Sequence, residues 1–293
     1  MKKVLLGLLF LCLGPFLLHA QDPKLRVIVF GAHPDDCDFG VGGVAALYAA
    51  GGHAVKFVSL TNGDKGHQQM GGGELARRRS LEAKEAGRRI GVEYEVMDNH
   101  DGELFPTLEN RLEVIRRIRE WKADVVISHR TNTYHPDHRY TGILVQDAAY
   151  LVIVPNILSS VPPLEKNPLF LYLEDGFQRP NPFRPDVVID ISPVVDKKVA
   201  LLDAHVSQVY EWLPWTERDT SVPAGAEERK KWLKARRTPE GRISAEARKS
   251  LEKWYGPSQA AKVTHVESFE ICEYGRKLSD EEIRRFFPML PKN

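Results

Sequence analysis

Residues 27–43 read VIVFGAHPDDCDFGVGG, and the parsing of this stretch decides how the rest of the chain is read. Val27–Phe30 is apolar and mostly β-branched, the composition of a buried strand. Gly31 ends it, and His33, Asp35 and Asp36 follow at once. Gly40, Gly42 and Gly43 then open a small-residue helix expected over Val44–Ala50. The result is a polar loop at the carboxyl end of a strand, the place where open α/β sheets bind ligands. His33 and Asp36 supply a nitrogen and an oxygen donor close enough in sequence to grip one metal ion. Asp35 lies between them and is free to point elsewhere.

Strand and helix alternate downstream with short connections. Ala54–Leu60 reads as a second strand, ending in the polar turn Thr61–Gly66. A helix follows from Glu74 to about Ile90, stopped by Gly91. Val92–Met97 is a third strand, nearer an edge, and leads to the turn His100-Asp101-Gly102. A helix over Glu109–Lys122 precedes a fourth strand, Asp124–Ser128, which runs into His129 through His138 before a helix over Thr141–Leu151. This order predicts an α/β fold: a Rossmann-like, doubly wound, mostly parallel sheet with helices on both faces. A reversal after the third strand makes the first and fourth strands neighbours, so both polar loops meet at the switch point. Beyond Pro155 the texture becomes proline-rich. Strands over Phe170–Leu173 and Val187–Ile191, a helix over Val194–Tyr210, charged helical sequence from Trp212 to about Gly256, a late strand in Val263–Ile271 and a final helix capped by Ser279 form a C-terminal extension.

With 42% hydrophobic and 28% charged residues, the 293-residue chain has the composition of a soluble globular protein. Lys2 and Lys3 precede the apolar run Val4–Leu18, and Leu18-His19-Ala20 offers a small-residue cleavage site. Residues 1–20 are therefore expected to be a signal peptide, and the protein to be exported, periplasmic or secreted. The competing reading, an anchor helix, suffers from a run shorter than the roughly 20 residues a span needs. Residues 21–293 are expected to form a single domain, with a core of about 25–205 and the extension of about 206–293. The 41 basic residues lose Lys2 and Lys3 with the leader, and against 40 acidic ones the balance is close to neutral. That gives no electrostatic case for nucleic acid. Cys37 and Cys272 are read as small buried thiols rather than a disulfide framework.

The candidate chemistry lies in the two loops. His33, Asp36 and His138 make two imidazoles and one carboxylate, a set that zinc uses for hydrolysis when a position is left for water. Asp35 is the candidate general base. His135 is placed to protonate a leaving group or to steady an oxyanion, and Asp137 to fix the tautomer of an imidazole. His205 and Gln208, one turn apart in AHVSQV, are read as a surface pair, with a place in the pocket wall as the alternative. Trp212, Trp215 and Trp232 are read as packing under a lid, with stacking on a sugar as the alternative.

Ala32-His33-Pro34-Asp35-Asp36 before a glycine-rich helix start, with the later His135-Pro136-Asp137-His138, resembles the PIG-L/LmbE-like family of zinc-dependent N-deacetylases. The resemblance spans roughly Arg26 to Asp147. It implies removal of acetyl groups from N-acetylglucosamine conjugates or related amides. His33, Asp36 and His138 would bind Zn2+, with another divalent metal such as Fe2+ as the variant. Asp35 would be the base, and the zinc ion and a protonated His135 would share the oxyanion charge. Arg79, three before Glu82, and Asp101 match the family's substrate-side positions; a solvated helix face and a plain turn are the bland readings of these two. Cys37 stands where the family often has Glu. The expected partner is a small-molecule N-acylated sugar or amide, with a homo-oligomer left open, no nucleic acid, and no stable membrane span after leader removal. Two other classes fit the same ligands: a non-haem Fe(II) enzyme, and a carbohydrate-binding protein that holds metal without turnover.

Overall fold

The computed structural model describes residues 24–291, so the leader expected over residues 1–20 lies outside the described residues. A seven-stranded sheet has the order β3-β2-β1-β4-β5-β7-β6. The first five strands in chain order are β1 (Arg26–Gly31), β2 (Ala54–Thr61), β3 (Glu93–Asn99), β4 (Val125–Ser128) and β5 (Leu169–Leu173), and all are parallel. β6 (Val187–Asp190) and β7 (Val266–Ile271) complete the sheet, with β7 antiparallel to both of its neighbours. The chain returns from β3 to the far side of β1, so β1 and β4 lie side by side with Val27 opposite Val125 and Phe30 opposite Ser128. The two strands end level, and the loops that follow them face each other.

β1 is apolar throughout because it is covered on both faces. Val27 and Val29 face α1 (Asp36–Ala50), α2 (Gly72–Ile90) and the later helices α5 (Val195–Leu202) and α10 (Asp280–Phe286), in a core with Val44, Tyr48, Phe57, Leu201 and Phe269. Ile28 and Phe30 face α3 (Leu108–Trp121) and α4 (Pro136–Leu151), with Ile115, Ile118, Val126 and Leu144. Ser279 caps α10 through a full capping box with Glu282, as its position predicts. Among the described residues no helix is long and apolar enough to cross a membrane. Cys37 and Cys272 are both buried free thiols. Cys37 Sγ points at the Val29 carbonyl, inside the core.

Four expectations change. The first helix begins at Asp36, not Val44, and the glycine run lies inside it. A Cβ at Gly40 would stand 2.9 Å from Leu173, and one at Gly43 2.8 Å from Ile191. Glycine is needed here for close packing on the sheet, which outweighs its poor helix propensity. The helix expected over Val194–Tyr210 stops at Leu202 and resumes as a π-helical turn, Ser207–Trp212. The charged stretch after it is broken into α6 (Leu213–Glu217), α7 (Ala226–Arg237) and α8 (Ala245–Tyr255). The short α9 (Pro257–Ala260) follows, and β7 begins at Val266 rather than Val263.

A buried ion pair grips the middle of α1. Glu267 accepts from the backbone N–H groups of Gly43 and Val44 at 2.8 and 2.7 Å, and Lys198 Nζ reaches both Glu267 and the Phe39 carbonyl at 2.7 Å. Breaking such a pair leaves an uncompensated buried charge. Glu267→Gln is expected to cost about 3–5 kcal/mol in chemical denaturation. Adding Lys198→Met to that variant should restore part of the loss, because the stranded ammonium is the source of the cost.

Candidate metal centre

The facing loops of β1 and β4 gather the polar residues. His33 and Asp35 lie between β1 and α1, and Asp36 is the first residue of α1. His129 follows β4, His135 is the N-cap residue of α4, and Asp137 and His138 are in its first turn. Asp101 comes from the turn after β3, and Arg79 from α2. His33, Asp35, Asp101, Asp137, His138 and Arg79 are all buried.

Hydrogen bonds fix which atoms face inward. The Asp36 Oδ2 oxygen accepts from the backbone N–H groups of Ala32 and His33 at 2.9 and 2.7 Å. His33 Nε2 faces Asp101 Oδ1 at 3.1 Å and Asp137 Oδ2 at 3.4 Å. Two carboxylate acceptors keep a proton on that nitrogen, which leaves the Nδ1 lone pair for other use. Nδ1 lies 3.2 Å from His138 Nε2 and 3.4 Å from Asp36 Oδ2, and His138 Nε2 lies 3.4 Å from Asp36 Oδ1. The three side chains therefore bring two imidazole nitrogens and a carboxylate within reach of one cation.

The charge setting agrees. Burial works against the Asp36 carboxylate, but His129 and His33, both hydrogen-bonded to it, help hold it well below the usual carboxylate range. Burial pushes the His138 imidazole down to about 2, so its neutral, ligating form dominates. Burial opposes a charge on His33 as well, yet hydrogen bonds to Asp101, Asp137 and Asp36 raise its pKa well above the ordinary value. A carboxylate cluster that draws a proton so strongly also draws a cation.

Asp35 lies beside this cluster but outside the converging donors. It sits at the N-cap position of α1 but makes no capping hydrogen bond. Its Oδ1 meets Arg79 Nη2 at 3.3 Å. Burial raises the Asp35 pKa, and Arg79 opposes the rise. Arg79 is only 2% exposed, donates to the Gly63 carbonyl at 3.0 Å and lies 3.7 Å from Asp101. It is no part of a solvated helix face, and it spans Asp35 and Asp101 from behind.

His135 differs from the protonated group expected from the sequence. Its Nδ1 accepts from the Asp137 backbone N–H at 3.2 Å, and burial together with the nearby His33 lowers its pKa. The ring is therefore neutral, with its proton on Nε2. Asp137 is fully buried, and its carboxylate accepts from the N–H groups of Gly102 and Leu104 as well as facing His33. His129, for which the sequence suggests no role, stacks on His138 with ring centroids 4.0 Å apart and lies 3.1 Å from Asp36. Its place directly after a buried strand was the available signal.

His205 and Gln208 are buried, not a surface pair. They belong to a strap running from α5 into the π-helical turn. His205 Nε2 lies 3.2 Å from Asp38 on α1. Ser207 donates to Glu82 on α2 through its N–H at 2.9 Å, and Gln208 donates to the Gly66 carbonyl at 3.1 Å. Glu211 pairs with Arg78 through both guanidinium nitrogens at 2.8 and 2.6 Å, and with His67 at 2.9 Å. The strap thus ties together the elements that carry Asp35, Arg79 and the loop above them. Trp212 and Trp215 stack on each other at 5.2 Å, and Trp232 packs near Tyr210.

Comparison with known proteins follows the same residues. A family model described as PIG-L: GlcNAc-PI de-N-acetylase matches residues 28–149. The diacetylchitobiose deacetylase of Thermococcus kodakarensis is 30% identical over 203 residues, spanning 65% of this chain and 73% of that protein. The 4-oxalmesaconate hydratase of Pseudomonas putida is 26% identical over 205 residues, spanning 66% and 78%. Among solved structures, an N,N'-diacetylchitobiose deacetylase from Pyrococcus horikoshii shares the fold, with a TM-score of 0.62 over 85% of this chain and 84% of that one at 22% identity.

The strap has an acid-sensitive joint at Glu211. Burial would raise this carboxyl, but hydrogen bonds from Arg78 and His67 outweigh it and lower its pKa from 4.5. A lowered carboxylate adds stability that is complete above its unfolded pKa and is lost as pH falls through the folded one. Wild type should therefore melt above Glu211→Gln at neutral pH, and the gap in Tm should close as pH falls below 4.5 into the range where the folded Glu211 takes up its proton. A gap that stays constant through that range would mean the carboxylate charge plays no part.

Proposed function

Because this chain belongs to the PIG-L family of de-N-acetylases, we propose that it is a zinc-dependent N-deacetylase acting on an N-acylated amino sugar or related small amide. The observation that carries this reading is the convergence of His33 Nδ1, Asp36 and His138 Nε2, with the Asp35 carboxylate beside them and outside the set. In this reading those three side chains hold the ion. When bound, it supplies Lewis-acid polarisation and a lowered water pKa.

The remaining steps belong to the protein's own groups. Asp35 takes a proton from the water that attacks the acyl carbon. Burial raises its pKa, which makes it a better proton acceptor than an exposed carboxylate, and Arg79 keeps the carboxylate aimed. As the C–O bond forms, His135 donates its Nε2–H to the carbonyl oxygen, which gains negative charge. A neutral donor serves here, since Nδ1 is already engaged. Asp35 then passes its proton to the nitrogen as the C–N bond breaks, and acetate and a free amine result. Asp101 and Asp137 orient His33 through Nε2, and Asp101 keeps its second oxygen for Arg79 or a sugar hydroxyl. The lysines and apolar run of residues 1–20 support export as the setting for this activity.

Asp35→Asn should lower kcat for acetate release about 10²–10⁴-fold while the metal content stays that of wild type. His138→Ala should lose the metal as well as the activity, and a chelator should abolish turnover until zinc is restored. The measurements are acetate release from N-acetylated sugars and metal analysis of each variant. Unchanged turnover in Asp35→Asn would remove the base from this scheme. Hydration of an unsaturated acid with no acetate from any amide would replace the deacetylase reading with that of a hydratase.

A further inference from the structure

His129 is a buried imidazole at the metal centre with no part in the steps above. Asp36, His129 and His138 bring their donor atoms close enough to share an ion. Ring geometry argues against His129 as a ligand. An imidazole nitrogen binds a metal along a lone pair that lies in the ring plane. The rings of His129 and His138 are stacked, with centroids 4.0 Å apart and planes 20° from parallel. Planes so nearly parallel meet only far from either ring. His33 and His138 are instead tilted by 51° with centroids 5.1 Å apart, so their planes can converge on one ion.

The two oxygens of Asp36 differ in their surroundings. Oδ2 accepts from the backbone N–H groups of Ala32 and His33 and lies 3.1 Å from His129 Nε2. A ring nitrogen that faces a carboxylate carries the proton and donates it. The Ala32 N–H is also 3.3 Å from this nitrogen, farther than its 2.9 Å to Oδ2. Oδ1 accepts no hydrogen bond among the described residues and stands 3.4 Å from His138 Nε2. Three donors at Oδ2 occupy its lone pairs, whereas those of Oδ1 remain for a cation.

His129 is itself held firmly. It follows directly on β4, and a Cβ at Gly142 of α4 would stand 2.7 Å from the carbonyls of His129 and Arg130. Gly142 lies one turn beyond His138, so the close approach that sets the stack belongs to the same helix face. Arg130 is buried and donates to Asp175 and the Phe177 carbonyl at 3.1 Å and to the Asn181 carbonyl at 2.7 Å. The His129 ring is thus a fixed surface, flat against one ligand and bonded to another.

Resting on the zinc-dependent reading above, we propose that His129 is a positioning residue. Its Nε2–H confines Asp36 to coordination through Oδ1 alone, and its ring face keeps His138 turned toward the same ion. A carboxylate bound through one oxygen leaves a coordination position for water, which a second oxygen would fill.

The test uses the full protein with zinc or Co(II) and needs no substrate. His129→Phe keeps a flat ring but removes the donor. It should weaken zinc binding about 10–100-fold in competition with a chelator. Its Co(II) visible absorption should fall, as coordination rises above four. His129→Gln, whose Nε2 reaches the same place, should recover both. Unchanged affinity and spectrum in His129→Phe, or His129→Gln as impaired as His129→Phe, would overturn the proposal. If Phe is not accommodated, His129→Leu makes the same comparison. Wild type that binds zinc but releases no acetate from any amide ends the deacetylase reading and leaves these measurements decisive; wild type that binds no zinc ends both.

Discussion

Four carboxylates, those of Asp35, Asp36, Asp101 and Asp137, are crowded at the carboxyl ends of β1 and β4, largely out of contact with water. Buried charges of one sign persist only where cations and directed hydrogen bonds lie among them. Arg79 answers Asp35 and Asp101, backbone N–H groups answer Asp36 and Asp137, and His33 lies between three of the four acids. The charge still uncovered is negative and sits where two imidazole nitrogens and a carboxylate converge. Affinity for a divalent cation follows from that imbalance as much as from the identity of the ligands.

Holding such a cluster in place requires the helices that carry it to be fixed from behind. α1 is fixed at its middle by Glu267 and Lys198, and Asp38 within it faces His205. α2 is fixed through Glu82 and Arg78 by the π-helical turn. These ties all come from the C-terminal half of the chain, although none of the candidate metal ligands does. The later segments work as a brace for a centre built by the first 138 residues, and π-helical geometry at such a place fits its usual occurrence near functional sites.

The relatives include both deacetylases and a hydratase, so membership of the family does not by itself name a reaction. What separates the activities here is local chemistry. A carboxylate with raised pKa beside the ligand set and a neutral imidazole donor suit water attack on an amide.

The strand and helix order, the adjacency of β1 and β4, and the nomination of His33, Asp35, Asp36 and His138 were all legible in the sequence. They rest on short-range signals: apolar runs bounded by glycine, and polar residues directly after buried strands. The true start of α1 was not legible, because Gly40 and Gly43 are tolerated only through their contact with Leu173 and Ile191, residues far along the chain. Nor were the burial of His205 and Gln208 or the place of Arg79 behind Asp35, since a polar residue on a charged helix reads as solvated until its partner is known. Neither the neutral tautomer of His135 nor the proximity of His129 to Asp36 can be written in local composition. Both depend on where a hydrogen-bonding neighbour falls in space, and folding alone brings such neighbours together.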